Sequence, residues 1–265
     1  MGLATLLGRG RGFFIPHRYA ATVEPCAYPA LEPYLAACAG AFESVLAEIE
    51  RYGDRLLHLR GPAPQPRFDQ AWFPTLDAAA AYAMVCRTRP ARIVEVGSGH
   101  STRFLARAIA DEALNAELVC IDPAPRAALR GLAVRWIEDV VQRAPETEFS
   151  RLQPGDILFV DSSHVLMPGT DVDWLLNRVL PGLAEGVLVH FHDVFLPDPY
   201  PAAWAWRSYN EHQALAPVLH SDAYLCLFAS HYVRTRLPDR LERGALARLP
   251  RPAAPESSLW LQKRA

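Results

Sequence analysis

The sequence has almost no lysine and no excess of charge of either sign. Lys263 is the one lysine among 265 residues, and 27 basic residues face 29 acidic ones, for a net charge of -2. Nucleic acids and anionic lipids are bound mainly through a surplus of positive charge. We therefore expect neither of them to be a partner.

Long apolar runs and paired cysteines are missing as well. No stretch approaches the roughly 18 apolar residues of a membrane span. The N-terminal apolar run is too short for a secretory signal. The five cysteines are widely spaced with no C-x-x-C pair, which argues against a disulfide framework or a zinc site. We expect a cytoplasmic protein without a membrane span.

The composition is otherwise that of a soluble globular protein, with 51% hydrophobic and 21% charged residues. Apolar residues recur every three or four positions from Leu35 to Leu57, which predicts one amphipathic helix. The prolines of residues 60–68 end it. We predict an N-terminal helical extension over residues 1–67 and a main domain over residues 68–265. The extension is a lid, an oligomer contact or a cover for one sheet face.

The main domain alternates short β-branched runs with helical segments. Strands that are apolar throughout and alternate with helices imply a parallel sheet covered on both faces. The predicted strands are 92–96, 117–121, 133–137, 156–160 and 186–191, with two late strands at 223–229 and 257–263. The predicted helices are 76–89, 102–113, 125–132, 140–149, 171–183 and 203–214.

The turn "VEVGSGHST" follows the first predicted strand. In an open parallel sheet, ligands gather where the strands end and the chain turns into the next helix. Gly97 and Gly99 permit a sharp turn and a close approach to a ligand, but a dinucleotide fingerprint needs a third glycine where this chain has Thr102. The acid Glu95 suits a cationic ligand better than a phosphate.

A second acid, Asp122, follows the next strand in "CIDPAP", where it is placed to accept the hydroxyls of a ribose. An adenosine with a positively charged amino-acid tail satisfies both acids. S-adenosylmethionine is such a molecule.

Four motifs, "VEVGSGHST", "VCIDP", "ILFVDSSH" and "GVLVHFHDVFLPDPYP", resemble the class I S-adenosylmethionine-dependent methyltransferases, in the branch of small-molecule O-methyltransferases. The resemblance implies a Rossmann-like, doubly wound α/β sheet of seven strands, mostly parallel with an antiparallel last strand. Many members have a third glycine where this chain has Ser101. The residues that the motifs and this resemblance predict to bind the cofactor are Glu95, Gly97, Ser98, Gly99, Ser101, Asp122, Asp139 and Asp161.

The fourth and fifth strands end in "DSSH" and "HFHD", which brings ionisable groups to the same rim. Methyl transfer to a hydroxyl requires alignment and removal of a proton. We predict catalytic roles for Asp161, His164 and His192, with His164 as the base. Alternatively, Asp161, His192 and Asp193 hold a divalent cation such as Mg²⁺ or Mn²⁺. His190, inside its strand, is expected to be a hydrogen-bonded core residue.

The leading hypothesis is a methyltransferase that acts on a small-molecule acceptor at a hydroxyl oxygen, with a homo-oligomer as one possible assembly. Two alternatives stay open. One is an NAD-dependent oxidoreductase on a Rossmann fold. The other is a catalytically degenerate methyltransferase fold that serves as a binding protein.

Overall fold

The computed structural model describes Leu7, residues 16–251 and residues 254–264. Residues 1–6 and 8–15 of the predicted N-terminal extension lie outside this range. In the described part the chain forms one seven-stranded sheet, whose strands are β1 (Arg92–Val96), β2 (Glu117–Ile121), β3 (Arg135–Ile137), β4 (Ile157–Val160), β5 (Leu188–Phe191), β6 (Tyr224–Ala229) and β7 (Leu259–Lys263).

The sheet has the order β3-β2-β1-β4-β5-β7-β6. Strands β1 to β5 pair in parallel, and β7 inserts antiparallel between β5 and β6. The predicted α/β fold with an antiparallel last strand is therefore confirmed. Strands β1, β4 and β5 are buried along their whole length, as expected for parallel strands covered on both faces.

Helices cover the sheet. They are α1 (Leu31–Ala37), α2 (Ala39–Arg51), α3 (Gly53–Leu57), α4 (Thr75–Thr88), α5 (His100–Asp111), α6 (Thr147–Ser150), α7 (Asp171–Trp174), α8 (Leu180–Gly182), α9 (Glu211–His220), α10 (Ser230–Arg236) and α11 (Gly244–Arg248). A π-helical segment, Leu175–Val179, joins α7 to α8. Short 3₁₀ turns are Ala20–Thr22, Val141–Arg143, Ala202–Arg207 and Pro238–Leu241.

The predicted single helix over residues 35–57 is wrong, because the chain bends at Cys38 and Tyr52 and forms α1, α2 and α3 instead. The second bend accommodates α11. A Cβ built on Gly53 would lie 2.2 Å from the Cβ of Ala245. Glu50, near the end of α2, accepts hydrogen bonds from the first turn of α11. This packing, rather than any local signal, fixes the break.

Three further helix predictions need correction. The predicted helix 125–132 is a loop, because the Arg126 N–H donates to the Ser98 carbonyl, 3.2 Å away, instead of continuing a helix. The predicted helix 140–149 is two short turns separated at Pro145. The predicted helix 203–214 breaks at Ser208, whose φ of 54° is left-handed.

The N-terminal helices contribute to the hydrophobic core. Phe42 of α2 is fully buried and packs edge-to-face against Phe228 and Tyr232, with ring centroids 6.1 and 5.9 Å apart. No helix in the described ranges is long and apolar enough to cross a membrane. From β1, the chain first adds β2 and β3 on one side of the sheet and then adds β4 and β5 on the other side. The site lies where this change of side occurs, at the ends of β1, β2 and β4.

Candidate functional site

The turn after β1 is held close to the end of β4. Gly97 has a φ of +79°, and a Cβ built on it would lie 1.9 Å from the carbonyl oxygen of Asp161. Both the backbone angle and the missing side chain require glycine here. Gly99 is extended, and a Cβ there would make only ordinary contacts with Arg126 and Ala127. The two glycines thus differ in how strictly they are needed.

Glu95 lies beneath this turn and has no exposed surface. Its carboxylate accepts hydrogen bonds of 2.6 Å from both Ser101 and Thr102, and one of 3.3 Å from Cys120, which pairs with it in the register of β1 and β2. Burial raises the pKa of Glu95 to about 7, although the hydrogen bonds oppose that rise. Glu95 does not line the neighbouring cavity, and its carboxylate holds the turn from behind. Its contribution to cofactor binding stays a prediction.

Thr102, which replaces the third glycine, completes this arrangement. Its hydroxyl donates to Glu95 and accepts the Gly99 N–H at 2.9 Å. Ser101 is buried and likewise bound to Glu95. Neither Ser101 nor Gly99 lines the neighbouring cavity. These two predicted cofactor residues support the turn from inside the protein.

Asp122, after β2, faces the same turn. Its Oδ2 accepts from the Ser98 N–H at 2.6 Å and from the Ser98 hydroxyl at 3.0 Å, and its Oδ1 accepts from the Ala124 N–H at 2.7 Å. A carboxylate has about four acceptor positions. Asp122 therefore retains capacity for one further donor.

A cavity of about 850 Å³ opens at the carboxyl ends of β1, β2 and β4. Gly97 and Ser98 line it after β1, Asp122 lines it after β2, and Asp161 lines it after β4. This volume is within the usual range for small-molecule sites. The structure thus brings four of the eight predicted cofactor residues to one cavity.

Asp139 lies outside the cavity, and the nearby Gln142 lines it instead. The Asp139 carboxylate accepts from the Val140 N–H and from Arg143 at 2.7 and 2.8 Å. In the 3₁₀ turn that follows β3, the Gln142 amide donates to the Gly169 carbonyl, while its oxygen Oε1 is buried without a partner in the described part of the chain. A buried acceptor without a partner is unusual in a folded protein.

His164 lies among three carboxylates. Its Nδ1 is 2.9 Å from Glu211, and its Nε2 is 3.4 Å from Asp161 and 3.3 Å from Asp193. Burial lowers the pKa of His164, but the hydrogen bonds to Asp161 and Glu211 and the charge of Asp193 outweigh that and hold it well above its usual range. Both ring nitrogens then carry protons. The arrangement therefore does not support His164 as a base.

His192 is enclosed in a similar way. Its Nε2 is 3.2 Å from Asp77, and its Nδ1 is 3.5 Å from both Asp161 and Asp193. The alternative of a metal site at Asp161, His192 and Asp193 finds no support in this geometry. No three His, Cys, Asp or Glu side chains of the described residues are arranged to hold a metal. The imidazole nitrogens are directed at carboxylates instead.

Asp161 joins the two histidines at the edge of the cavity, with 27% of its side chain exposed. Burial opposes its ionisation, but the charge of His192 and the hydrogen bonds from His164 and His192 hold the pKa of Asp161 well below its usual range. An anionic oxygen is thus presented to the cavity. Left-handed φ angles of 59° at His164 and 56° at Asp193 also concentrate backbone strain here, as at functional sites.

His190 is a core residue, as predicted. It is fully buried, bonds to the Ser258 hydroxyl at 2.8 Å and stacks on Phe159 with ring centroids 3.7 Å apart. Burial and then the charge of His192 hold the pKa of His190 well below its usual range. His190 is therefore a neutral ring inside the sheet.

Two carboxylates of this network, Asp77 and Glu211, were not predicted from the sequence. Asp77 lies on α4 and reaches His192 across 115 residues of sequence. Glu211 begins α9 and reaches His164 across 47 residues. Neither belongs to a motif, and both look like ordinary acids in the first turn of a helix. Only the sheet order brings them to the ends of β4 and β5.

A comparison with family models matches the part of the chain that carries most of this site. The family model described as a methyltransferase domain matches residues 94–194, from within β1 to just after β5. The matched segment is thus a methyltransferase-type domain, and the resemblance predicted from the motifs is confirmed. A comparison with curated proteins finds no match.

Several solved structures resemble this chain at low sequence identity. The methyltransferase PaMTH1 of Podospora anserina, bound to S-adenosylhomocysteine, is 17% identical over 96% of this chain and 100% of its own, with a TM-score of 0.46. An O-methyltransferase of Bacillus cereus is 13% identical over 83% and 91%, at 0.44. A branched-chain polyamine synthase of Thermus thermophilus is 16% identical over 81% and 64%, at 0.46.

Proposed function

We propose that this protein transfers a methyl group from S-adenosylmethionine to a hydroxyl oxygen of a small-molecule acceptor. The observation that carries the proposal is the cavity at the ends of β1, β2 and β4, lined by Ser98, Asp122 and an ionised Asp161. These three residues lie within the segment that matches a methyltransferase domain.

The cavity residues fit this cofactor. Glycine at position 97 lets the turn after β1 lie directly against the Asp161 backbone at the edge of the cavity. Asp122 has capacity for a ribose hydroxyl. The partnerless Gln142 Oε1 suits the amino group of an adenine, and the Ser162 hydroxyl is a second buried group without a partner in the described residues. When bound, S-adenosylmethionine supplies an electrophilic methyl group.

Asp161 is the residue we assign to the acceptor. Its carboxylate accepts a hydrogen bond from the acceptor hydroxyl, which orients the oxygen, and it takes up the hydroxyl proton as that oxygen receives the methyl group. His164 and His192 act as positioning residues, because each holds the Asp161 carboxylate by contacts of 3.4 and 3.5 Å. Asp77 and Glu211 fix the two rings from the far side.

Calorimetry with S-adenosylhomocysteine tests the proposal, with Asp122→Asn as the variant and Asp139→Asn as its matched control. We expect the wild type and the control to bind, and Asp122→Asn to bind at least about tenfold more weakly. Equal binding by both variants would remove the ribose assignment.

Two outcomes would favour the alternatives. Binding of NADH with no binding of S-adenosylhomocysteine would support an oxidoreductase. Cofactor binding without methyl transfer to any acceptor would support a binding protein.

We also propose the division into an extension over residues 1–67 and a domain over residues 68–265, together with a cytoplasmic location and no nucleic-acid partner. The packing of Phe42 against β6 and α10 supports a covering role for the extension.

A further inference from the structure

Arg207 lines the same cavity, although it lies far along the chain from the turn after β1. It ends the 3₁₀ turn Ala202–Arg207 and lines the cavity together with Trp206 and Asp161. Its guanidinium carbon lies 4.2 Å from the ring centre of Trp204, and 5.3 Å from those of Trp206 and Tyr209. Aromatic rings thus surround a positive charge.

The guanidinium has no acidic partner in the part of the chain that the structure describes. One nitrogen donates to the Tyr209 hydroxyl at 3.0 Å, and Nε is buried with no hydrogen-bond partner. By contrast, Arg234 pairs with Glu256, and Arg236 pairs with Glu32 and Asp198. A buried donor without an acceptor is costly, so Arg207 is poised for an acceptor from a ligand.

The backbone holds Arg207 in place. Asn210 exchanges side-chain hydrogen bonds with the Leu166 backbone, at 2.6 and 3.2 Å, and its own N–H donates to the His164 carbonyl at 3.0 Å. The segment that carries Arg207 is therefore fastened to the loop after β4, which also carries Asp161. Arg207 and Asp161 therefore reach the cavity from two segments that are hydrogen-bonded to each other. The two side chains form no ion pair.

We propose, resting on the function proposed above, that the acceptor is a planar aromatic molecule with a carboxylate, which Arg207 binds while the acceptor hydroxyl faces Asp161. A guanidinium matches a carboxylate through paired hydrogen bonds. Trp206, which lines the cavity beside Arg207, offers flat apolar surface to the ring. Trp206 is 77% exposed, so most of its ring surface is accessible to a ligand.

The carboxylate of the cofactor itself is the competing occupant. Arg126 is better placed for it, because the Arg126 N–H bonds to the Ser98 carbonyl in the turn after β1, and its guanidinium lies over Trp72 at 4.8 Å. Arg126 also has no acidic partner among the described side chains. This division leaves Arg207 for the acceptor.

The test compares two probes that differ only in the carboxylate, para-hydroxybenzoate and phenol, by ligand-observed NMR. It uses the protein with and without saturating S-adenosylhomocysteine. The variant is Arg207→Gln. The matched control is Arg178→Gln, because Arg178 also lies over a tryptophan, Trp174, at 5.9 Å but does not line the cavity.

We expect the wild type and the control to bind para-hydroxybenzoate about tenfold or more tightly than phenol, as a charge-assisted hydrogen bond provides. Arg207→Gln should abolish this preference and keep its affinity for S-adenosylhomocysteine. The inference is overturned if the wild type shows no preference or binds neither probe, or if the variant retains the preference. It is also overturned if the variant loses S-adenosylhomocysteine affinity instead. Failure of the wild type to bind S-adenosylhomocysteine would refute the proposed function. The preference for the carboxylate-bearing probe would still be measured in the samples without S-adenosylhomocysteine.

Discussion

Replacing Gly97 with alanine should be among the most damaging small changes in this protein. Two costs add at this position. A left-handed backbone costs an L-residue roughly 1–2 kcal/mol, and the φ of Gly97 is +79°. The new Cβ would also lie 1.9 Å from the carbonyl oxygen and 2.8 Å from the carbonyl carbon of Asp161. These are backbone atoms at the end of β4, so they cannot rotate away, and such overpacking costs about 1–3 kcal/mol.

Gly155 provides the matched control. Its φ is +89°, close to that of Gly97, but a Cβ there meets nothing within 4 Å. Gly155→Ala should therefore lose only the stability that the left-handed backbone angle costs, roughly 1–2 kcal/mol. Gly97→Ala should lose about 2–5 kcal/mol in total. A small domain is stable by about 5–15 kcal/mol, so both variants should still fold.

Urea unfolding measures the loss of stability in both variants. Titration with S-adenosylhomocysteine shows whether a shift of the Asp161 backbone, caused by the new Cβ, alters the cavity. We expect Gly97→Ala to bind poorly and Gly155→Ala to bind as the wild type does. If the two variants unfold within about 0.5 kcal/mol of each other, the precision expected for independent sites, the contact between the turn and β4 does not constrain residue 97.

Two further predictions concern buried groups. The pKa of Glu95 is raised from 4.5 to about 7, so its folded form holds the proton longer and stability from this group falls as the pH rises through that interval. One pKa unit corresponds to 1.36 kcal/mol. The free energy of unfolding of Glu95→Gln, measured in urea, should therefore rise by about 3 kcal/mol relative to that of the wild type between pH 5 and pH 8.5. The same pH dependence in both proteins would contradict this. Phe42→Ala should cost about 3–5 kcal/mol in the same assay, whereas Leu225→Ala, 42% exposed, should cost less than about 1 kcal/mol. Equal small losses would mean that α2 is not part of the core.

Much of the sheet could be predicted from local pattern. The predicted strands 92–96 and 117–121 coincide with β1 and β2, because each apolar run is bounded by residues that favour turns. The later strands were found within a few residues of their ends. Helices were predicted less well, since a break such as that at Tyr52 depends on α11, which is distant in sequence.

The candidate site was predicted in part. Ser98, Asp122 and Asp161 do line the cavity, because strand ends converge at one edge of any parallel sheet. The sequence could not show which side chain faces the cavity after β3. A single 3₁₀ turn directs Gln142 inward and leaves Asp139 outside. The protonation of His164 also depends on Glu211, which the sequence does not connect to it.

The sequence by itself determined the class of fold and the position of the ligand edge, because periodicity and turn residues act over a few neighbouring positions. The tertiary structure decided the chemistry at that edge. Asp77 meets His192, and Glu211 meets His164, only after the strands have taken their order. The charge on each histidine follows from those contacts and from burial, and neither quantity is encoded in local pattern.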